Sequence, residues 1–218
     1  MGQIFQMLYR HLVIVSHIII SLALYIMDTT LEIFGAVFGF LAVYFTIKQN
    51  IICWYFGLIQ VILYCFVFYT AKLYSDMILH VIYIFLQVFG WYNWKYGGSN
   101  KSELRVTLLT NAIFWIGLTV LASVLLGYTM QTKTDASYPY EDAFIMVASL
   151  VAQYLMIKKV VASWIFWIVV DLVGITIYSY KGLYFTAVLY VLFLIMAIMG
   201  YWEWKKAYNE QFAHEKRT

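Results

Sequence analysis

The hexapeptide Gly90-Trp91-Tyr92-Asn93-Trp94-Lys95 returns later in the chain as Gly200-Tyr201-Trp202-Glu203-Trp204-Lys205, an offset of 110 (200 − 90). Followed toward the N-terminus, both copies keep that offset without a gap, so that 31–95 lies over 141–205. Trp54 falls on Trp164, Leu73-Tyr74 on Leu183-Tyr184, Ile47-Lys48 on Ile157-Lys158, Phe34 on Phe144 and Tyr44 on Tyr154. About 15 of these 65 positions are identical. Shared apolar composition raises chance identity, but it does not align Trp, Gly and Lys at one constant offset. The pattern is that of an internal duplication.

What is duplicated is almost wholly apolar. The 218 residues are 64% hydrophobic and 11% charged, with a mean hydropathy of +0.81. A soluble globular chain is about 45–50% apolar and about 25% charged. Too little polar surface exists to cover a water-soluble globule, so the composition predicts an all-α integral membrane protein. Apolar runs cover approximately 8–27, 30–47, 51–70, 77–95, 107–127, 141–157, 160–178 and 184–204. Each is long enough to span, since a spanning helix needs about 20 apolar residues. Membrane β-strands alternate in segments of about ten residues. These runs are apolar all round and about twice that length. In the first run, Leu12 to Met27 is long for a signal peptide and no clean small-residue cleavage site follows, so a retained span is expected. Eight spans leave no length for a soluble catalytic or nucleotide-binding domain.

The loops test this count independently. With a cytoplasmic N-terminus and every run crossing, the cytoplasmic side holds Arg10, Lys48, Lys95, Lys101, Arg105, Lys158, Lys159, Lys205, Lys206, Lys216 and Arg217. The opposite side holds Lys72, Lys133 and Lys181, so 11 + 3 accounts for all 14 basic residues. That is a strong positive-inside bias, and it predicts eight spans with both termini in the cytoplasm. Each repeat then holds three spans with the run at 107–127 between them. Three plus one is even, so both repeats enter the membrane in the same direction, as in parallel-repeat transporters. The expected units are an N-terminal transmembrane helix over 1–29, a first three-helix repeat over 30–98, a linker helix over 99–130, a second three-helix repeat over 131–206 and a cytoplasmic tail over 207–218.

Polar residues inside spans are costly and mark function by default. Asp171 is the acid nearest the middle of a span, and Trp164, Trp167, Asp171, Gly174 and Tyr178 share one helical face by their spacing of 3, 4, 3 and 4. A second stripe runs through Asp76, His80, Tyr83, Gln87, Trp91 and Trp94. Asp142, Ser149 and Gln153 mark a third face, and Gln60 and Tyr64 stand opposite Val170 and Gly174 by repeat equivalence. Aromatic rings stack on a planar heterocycle and attract a cationic one. Gln, Asn and Tyr hydrogen-bond hydroxyls or an amide, and Asp171 offsets a positive charge. The candidate substrate-binding set is therefore Gln60, Tyr64, His80, Tyr83, Gln87, Trp91, Asn93, Trp94, Gln153, Trp164, Trp167, Asp171 and Tyr178. Trp91 and Trp94 fall near the cytoplasmic span ends, where an interfacial aromatic belt is an equal alternative, and Asp171 and His80 have packing alternatives.

Several classes are not supported. A net charge of +3 is too small to suggest a nucleic-acid surface. Cys53 and Cys65 lack metal-ligand spacing and His11, His17 and His214 do not cluster with His80, so no metal site is expected. No phosphate loop, dinucleotide fingerprint or nucleophile–base arrangement is present, so neither a cofactor nor an enzyme activity is expected. Pro139 before Glu141 and Asp142 fits a helix start.

Taken together, Trp54-Tyr55-Phe56-Gly57 with Gln60 and Tyr64, Ala71-Lys72-Leu73-Tyr74-Ser75-Asp76, and Gly90-Trp91-Tyr92-Asn93-Trp94 resemble the PnuC family of vitamin transporters. So do Trp164-Ile165-Phe166-Trp167 with Asp171, Lys181-Gly182-Leu183-Tyr184, and Gly200-Tyr201-Trp202-Glu203-Trp204. The resemblance covers roughly 30–206. It implies a bacterial inner-membrane facilitator that imports nicotinamide riboside for NAD biosynthesis, with the substrate trapped by cytoplasmic phosphorylation. It also implies a fold like that of SWEET sugar transporters, with a 3+1+3 arrangement, and a homotrimer in the lipid bilayer. The extra span at 8–27 departs from a seven-span pattern. The chain lacks the Pro-Gln pair of the PQ-loop relatives, against a sugar or amino-acid substrate. Sister proteins carry thiamine or riboflavin, and thiamine is also a cationic aromatic. A membrane receptor or enzyme built on the same polar stripe is the alternative from another class.

Overall fold

The computed structural model describes residues 30–70, 74–99, 102–134, 138–182 and 184–215. The span expected over 8–27, and with it the unit 1–29, lies outside these residues, as does the side chain of Asp76. The described elements are seven helices, α1 (Thr30–Ile47), α2 (Ile52–Thr70), α3 (Tyr74–Tyr96), α4 (Ala112–Lys133), α5 (Pro139–Ile157), α6 (Ser163–Tyr180) and α7 (Tyr184–Glu215). All seven have a stretch long and apolar enough to cross a membrane. This is a multi-pass all-helical membrane protein.

Because lipid tails are as apolar as leucine, burial in such a bundle sorts side chains by size and polarity. Phe85 is 69% exposed and Ile113 89%, while Trp164 and Trp204 are buried at 2% and 0%. Packing runs α2 on α3, α6 on α7, α4 on α5 and α5 on α6, with α3 meeting α5 across the bundle. On α4 the buried positions are Thr119, Ser123 and Gly127, small residues at a four-residue step that let α5 approach closely. Pro139 is the first residue of α5, followed by Glu141 and Asp142 in its first turn, where a missing N–H costs nothing and acids suit the helix dipole.

One end of the bundle is built twice. The turns α1–α2 and α5–α6 each carry one residue in the left-handed region, Gln49 at φ 54° and Lys159 at φ 56°, a step of 110 (159 − 49). The Trp94 indole N–H donates to the Met156 carbonyl at 3.0 Å, and the Trp204 indole N–H donates to the Thr46 carbonyl at 3.0 Å. Donors and acceptors are again 110 apart (204 − 94, 156 − 46), and each bond crosses from one set of three helices to the other. The Trp94 and Trp204 rings lie 5.7 Å apart, with Trp54 edge-on to Trp94 at 5.3 Å and Trp164 edge-on to Trp204 at 5.5 Å. Asn93 Nδ2 donates to the Ile157 carbonyl at 2.7 Å, and Lys48 pairs with Glu203 at 3.1 Å. At the opposite end Lys181 pairs with Asp142 at 3.0 Å.

Two apolar runs differ from their helices. The run at 107–127 is a helix over Ala112–Lys133, because Thr107 is taken up by a parallel bridge to Val160. The Thr107 N–H donates to the Lys159 carbonyl at 3.1 Å, and the Val161 N–H donates to the Thr107 carbonyl at 2.9 Å. Left-handed Asn111 (φ 56°) then starts α4. The buried Lys159 ammonium anchors this strap, donating to the Leu104 carbonyl at 3.1 Å and sitting 4.8 Å from the centre of the Trp94 ring. Burial pushes its pKa below the ordinary lysine value, and nearby Glu103 partly offsets that. At the C-terminal end, α7 continues to Glu215, past the apolar run ending near 204. The polar turns there are good helix formers, and Lys206 lies 4.0 Å from Glu210 on one face.

Candidate functional site, a cavity between two sets of three helices

A cavity of about 490 Å³ lies between α1–α3 and α5–α7, within the range of about 300–1,000 Å³ usual for small-molecule sites. Its walls come from these six helices, and α4 supplies none of the lining residues. The lining includes Gly39 and Ser149, Val43 and Gln153, Thr46 and Met156, Trp54 and Trp164, Gln60 and Val170, Phe68 and Tyr178, His80 and Tyr190, and Gln87 and Ala197. The members of every pair are 110 apart in sequence.

Of the residues expected at a substrate site, Gln60, Tyr64, His80, Gln87, Gln153, Trp164, Trp167, Asp171 and Tyr178 border this one cavity. Tyr83, Trp91, Asn93 and Trp94 are not among its lining residues. Tyr83 stands beside the site, its ring 5.9 Å from that of His80. The other three lie where the α3 stripe has left the cavity for the packed end of the bundle. Trp94 and Asn93 are engaged in the hydrogen bonds already described. Trp91 packs edge-on to Tyr55 at 6.4 Å, with the Lys95 ammonium 5.2 Å from its ring centre. A helical face is continuous along α3, but the cavity borders only part of its length.

Several of the cavity's polar groups have no hydrogen-bond partner among the described residues. The Trp54 and Trp164 indole N–H groups are buried and meet no acceptor among the described residues. Asp171 is 4% exposed and borders the cavity, and among the described residues no donor or cation bonds its carboxylate. The carboxamides of Gln60, Gln87 and Gln153 likewise make no hydrogen bond among the described residues. Buried polar groups are ordinarily bonded, and those that are not are sites for something else to bond. Aromatic rings complete the walls, with Tyr178 and Tyr190 5.1 Å apart and Phe68 and His80 4.8 Å apart. The arrangement offers indole faces and donors, three carboxamides and one carboxylate to a planar, polar, cationic molecule. Among the described residues no three His, Cys, Asp or Glu gather as a metal site.

Trp54, Tyr190, Ser149, Thr46 and Phe193 line the cavity but are absent from the expected set. The 110-residue offset contained the signal for three of them. Adding or subtracting 110 turns Trp164 into Trp54, His80 into Tyr190 and Tyr83 into Phe193.

A family model described as nicotinamide mononucleotide transporter matches residues 29–206. The nicotinamide riboside transporter PnuC of Neisseria mucosa is 31% identical over 194 residues, covering 82% of this chain and 73% of that protein. PnuC of Escherichia coli strain K12, also a nicotinamide riboside transporter, is 25% identical over 208 residues, covering 83% of this chain and 87% of that protein. The riboflavin/roseoflavin transporter RibM of Streptomyces davaonensis is 26% identical over 122 residues, covering 54% of this chain and 57% of that protein. A crystal structure of the vitamin B3 transporter PnuC superposes with a TM-score of 0.67 at 29% identity, covering 84% of this chain and 83% of that one. A family match across 29–206 joins a shared fold and relatives similar over most of their length, and the chain belongs to the nicotinamide mononucleotide transporter family, that of the PnuC proteins.

Proposed function

We propose that this chain is a bacterial inner-membrane transporter that imports nicotinamide riboside by facilitated diffusion. The observation that carries the reading is the cavity itself, where two donor indoles, a buried unpaired carboxylate and three free carboxamides face one shared space. A pyridinium ring stacks on indoles and is attracted by their faces. Asp171 supplies the counter-charge, and the carboxamides match ribose hydroxyls or an amide. The candidate residues bordering the cavity form the substrate site, and Tyr83 supports His80. The similarity to nicotinamide riboside transporters and to the vitamin B3 transporter structure supports the same substrate.

The working architecture is two parallel three-helix repeats, 30–98 and 131–206, joined by a linker over 99–130 whose helix α4 runs on to Lys133, and preceded by an eighth helix over 1–29. The eight lining pairs and the crossed indole bonds, all at the 110 offset, support it. Such repeats are related by an axis along the membrane normal and alternate around a midplane site. Lys48, Lys95, Lys158 and Lys205 gather at one end of the helices and Lys133 and Lys181 at the other, which supports cytoplasmic termini. A homotrimer is the assembly implied by the family resemblance.

Uptake of labelled nicotinamide riboside into liposomes containing this protein alone tests the reading, with riboflavin and thiamine as competitors. Saturable uptake without an imposed gradient is expected, competed weakly by the other two vitamins. Absence of uptake, or uptake of riboflavin instead, overturns it. A membrane-impermeant cysteine label at position 133 is expected to react from outside only.

A further inference from the structure

We propose that Gly39 and Gly57 are specificity-determining positioning residues, each seating a glutamine of the next helix and fixing how far its carboxamide reaches into the cavity. The inference rests on the cavity being the transport site.

A Cβ on Gly57 of α2 would stand 2.7 Å from Gln87 Oε1 and 2.8 Å from Gln87 Nε2 of α3. A Cβ on Gly39 of α1 would stand 2.6 Å from Gln60 Nε2 of α2. Each carboxamide thus lies directly against a glycine of the preceding helix, α3 on α2 and α2 on α1. Real Cβ atoms do not approach so closely, so an added methyl must displace the amide. The displaced atoms are the far ends of flexible side chains, so the fold survives while the amide moves. Neither carboxamide is tied to another protein group among the described residues, so the glycine surface is what positions it.

The second set of helices shows that the contact is a matter of paired volume. At the positions 110 further on, Gly57 becomes Trp167 and Gln87 becomes Ala197. The large residue has moved to the second helix of its set and the small one to the third. One wall thereby presents an amide from α3, and the other presents an indole from α6. Both Trp167 and Ala197 line the cavity. Glycine against Gln87 leaves an amide on one wall, and Trp167 at the position equivalent to Gly57 leaves an indole on the other.

The test is a four-way comparison in proteoliposomes of wild type, Gly57→Ala, Gln87→Ala and the double variant. Each is assayed with nicotinamide riboside and with two analogues, one lacking the carboxamide and one lacking a ribose hydroxyl. Whichever preference Gln87→Ala loses, Gly57→Ala is expected to lose too, by on the order of tenfold, because sites built to bond a polar group discriminate strongly on it. The double variant is expected to be no worse than Gln87→Ala alone, since the clashing atoms are gone. Gly39→Ala with Gln60→Ala repeats the logic independently. Unchanged preferences in Gly57→Ala and Gly39→Ala overturn the proposal, as do additive losses in the double variants. Failure of both glycine variants to fold also overturns it, because the seats would then be structural. If wild type moves riboflavin rather than nicotinamide riboside, the substrate reading falls, and the same comparison with riboflavin analogues decides the seats. Transport of none of these vitamins overturns both.

Discussion

The two walls of the cavity come from segments matching in sequence at a constant offset, yet they offer a ligand different chemistry. The wall from α1–α3 carries Gln60, Tyr64, His80 and Gln87, and the wall from α5–α7 carries Gln153, Trp167, Asp171, Tyr178 and Tyr190. Where one has Gln60 and Gln87, the other has Val170 and Ala197. The bundle end beside them is the opposite case. There Trp94 and Trp204 make equivalent bonds of 3.0 Å to Met156 and Thr46, and Gln49 and Lys159 share one backbone conformation. Packing that joins the two segments constrains both alike, because each donates to the other. A binding site for an asymmetric molecule has no such constraint, so its walls are free to diverge. Equivalence marks the frame and divergence marks the ligand.

The largest expected effect breaks the walls' charge difference. Asp171→Asn is expected to keep the fold and to weaken binding of a cationic substrate by about 2–5 kcal/mol, the usual cost of removing one partner of a desolvated charge pair. Calorimetry with a pyridinium ligand and its neutral dihydro analogue checks it. The preference for the charged ring should vanish, and wild-type discrimination would make Asp171 a packing residue.

Stability separates frame from wall. A Cβ on Gly200 would stand 2.5 Å from the Trp164 ring, and one on Gly90 would press into the Trp54 ring. These are rigid indoles, not flexible amide ends. Gly200→Ala and Gly90→Ala are each expected to destabilise by about 1–3 kcal/mol, the range for overpacking. Gly57→Ala should melt near wild type in the same detergent. Equal melting losses for all three would erase the distinction.

Trp167→Ala sharpens the comparison within the second wall. A loss of about 1–2 kcal/mol for the cationic ring is expected from a desolvated cation–π contact, with a smaller loss for the neutral one. Equal losses would show an indole that only packs. The smallest effect tests the frame's symmetry. Trp94→Phe and Trp204→Phe each remove one crossed N–H bond, and each should cost about 1 kcal/mol in thermal unfolding. The two losses should match, and a markedly larger loss for one would show that the two ends of the cross are not equivalent.

Much was legible in the chain itself. The seven spans over 30–204, though not the limits of α4 and α7, follow from apolar runs, because in hydrocarbon every backbone group must be bonded within its own helix. The turns were legible through charges and the duplication, and nine of the expected site residues do border the cavity, because period and polarity select a helix face. Local rules could not say how far along a face the cavity extends. Trp91 and Trp94 share the stripe of Gln87, and only the crossing of α3 with the second set of helices turns Asn93 and Trp94 into hydrogen-bond donors to α5. Nor could they place α4, whose start at Ala112 depends on Thr107 bridging to Val160 across more than 50 residues (160 − 107). Hydropathy and periodicity are properties of one helix and are written in its sequence. Which atoms meet between helices, and which glycine lies beneath which glutamine, depends on approach distances that exist only after the helices have packed.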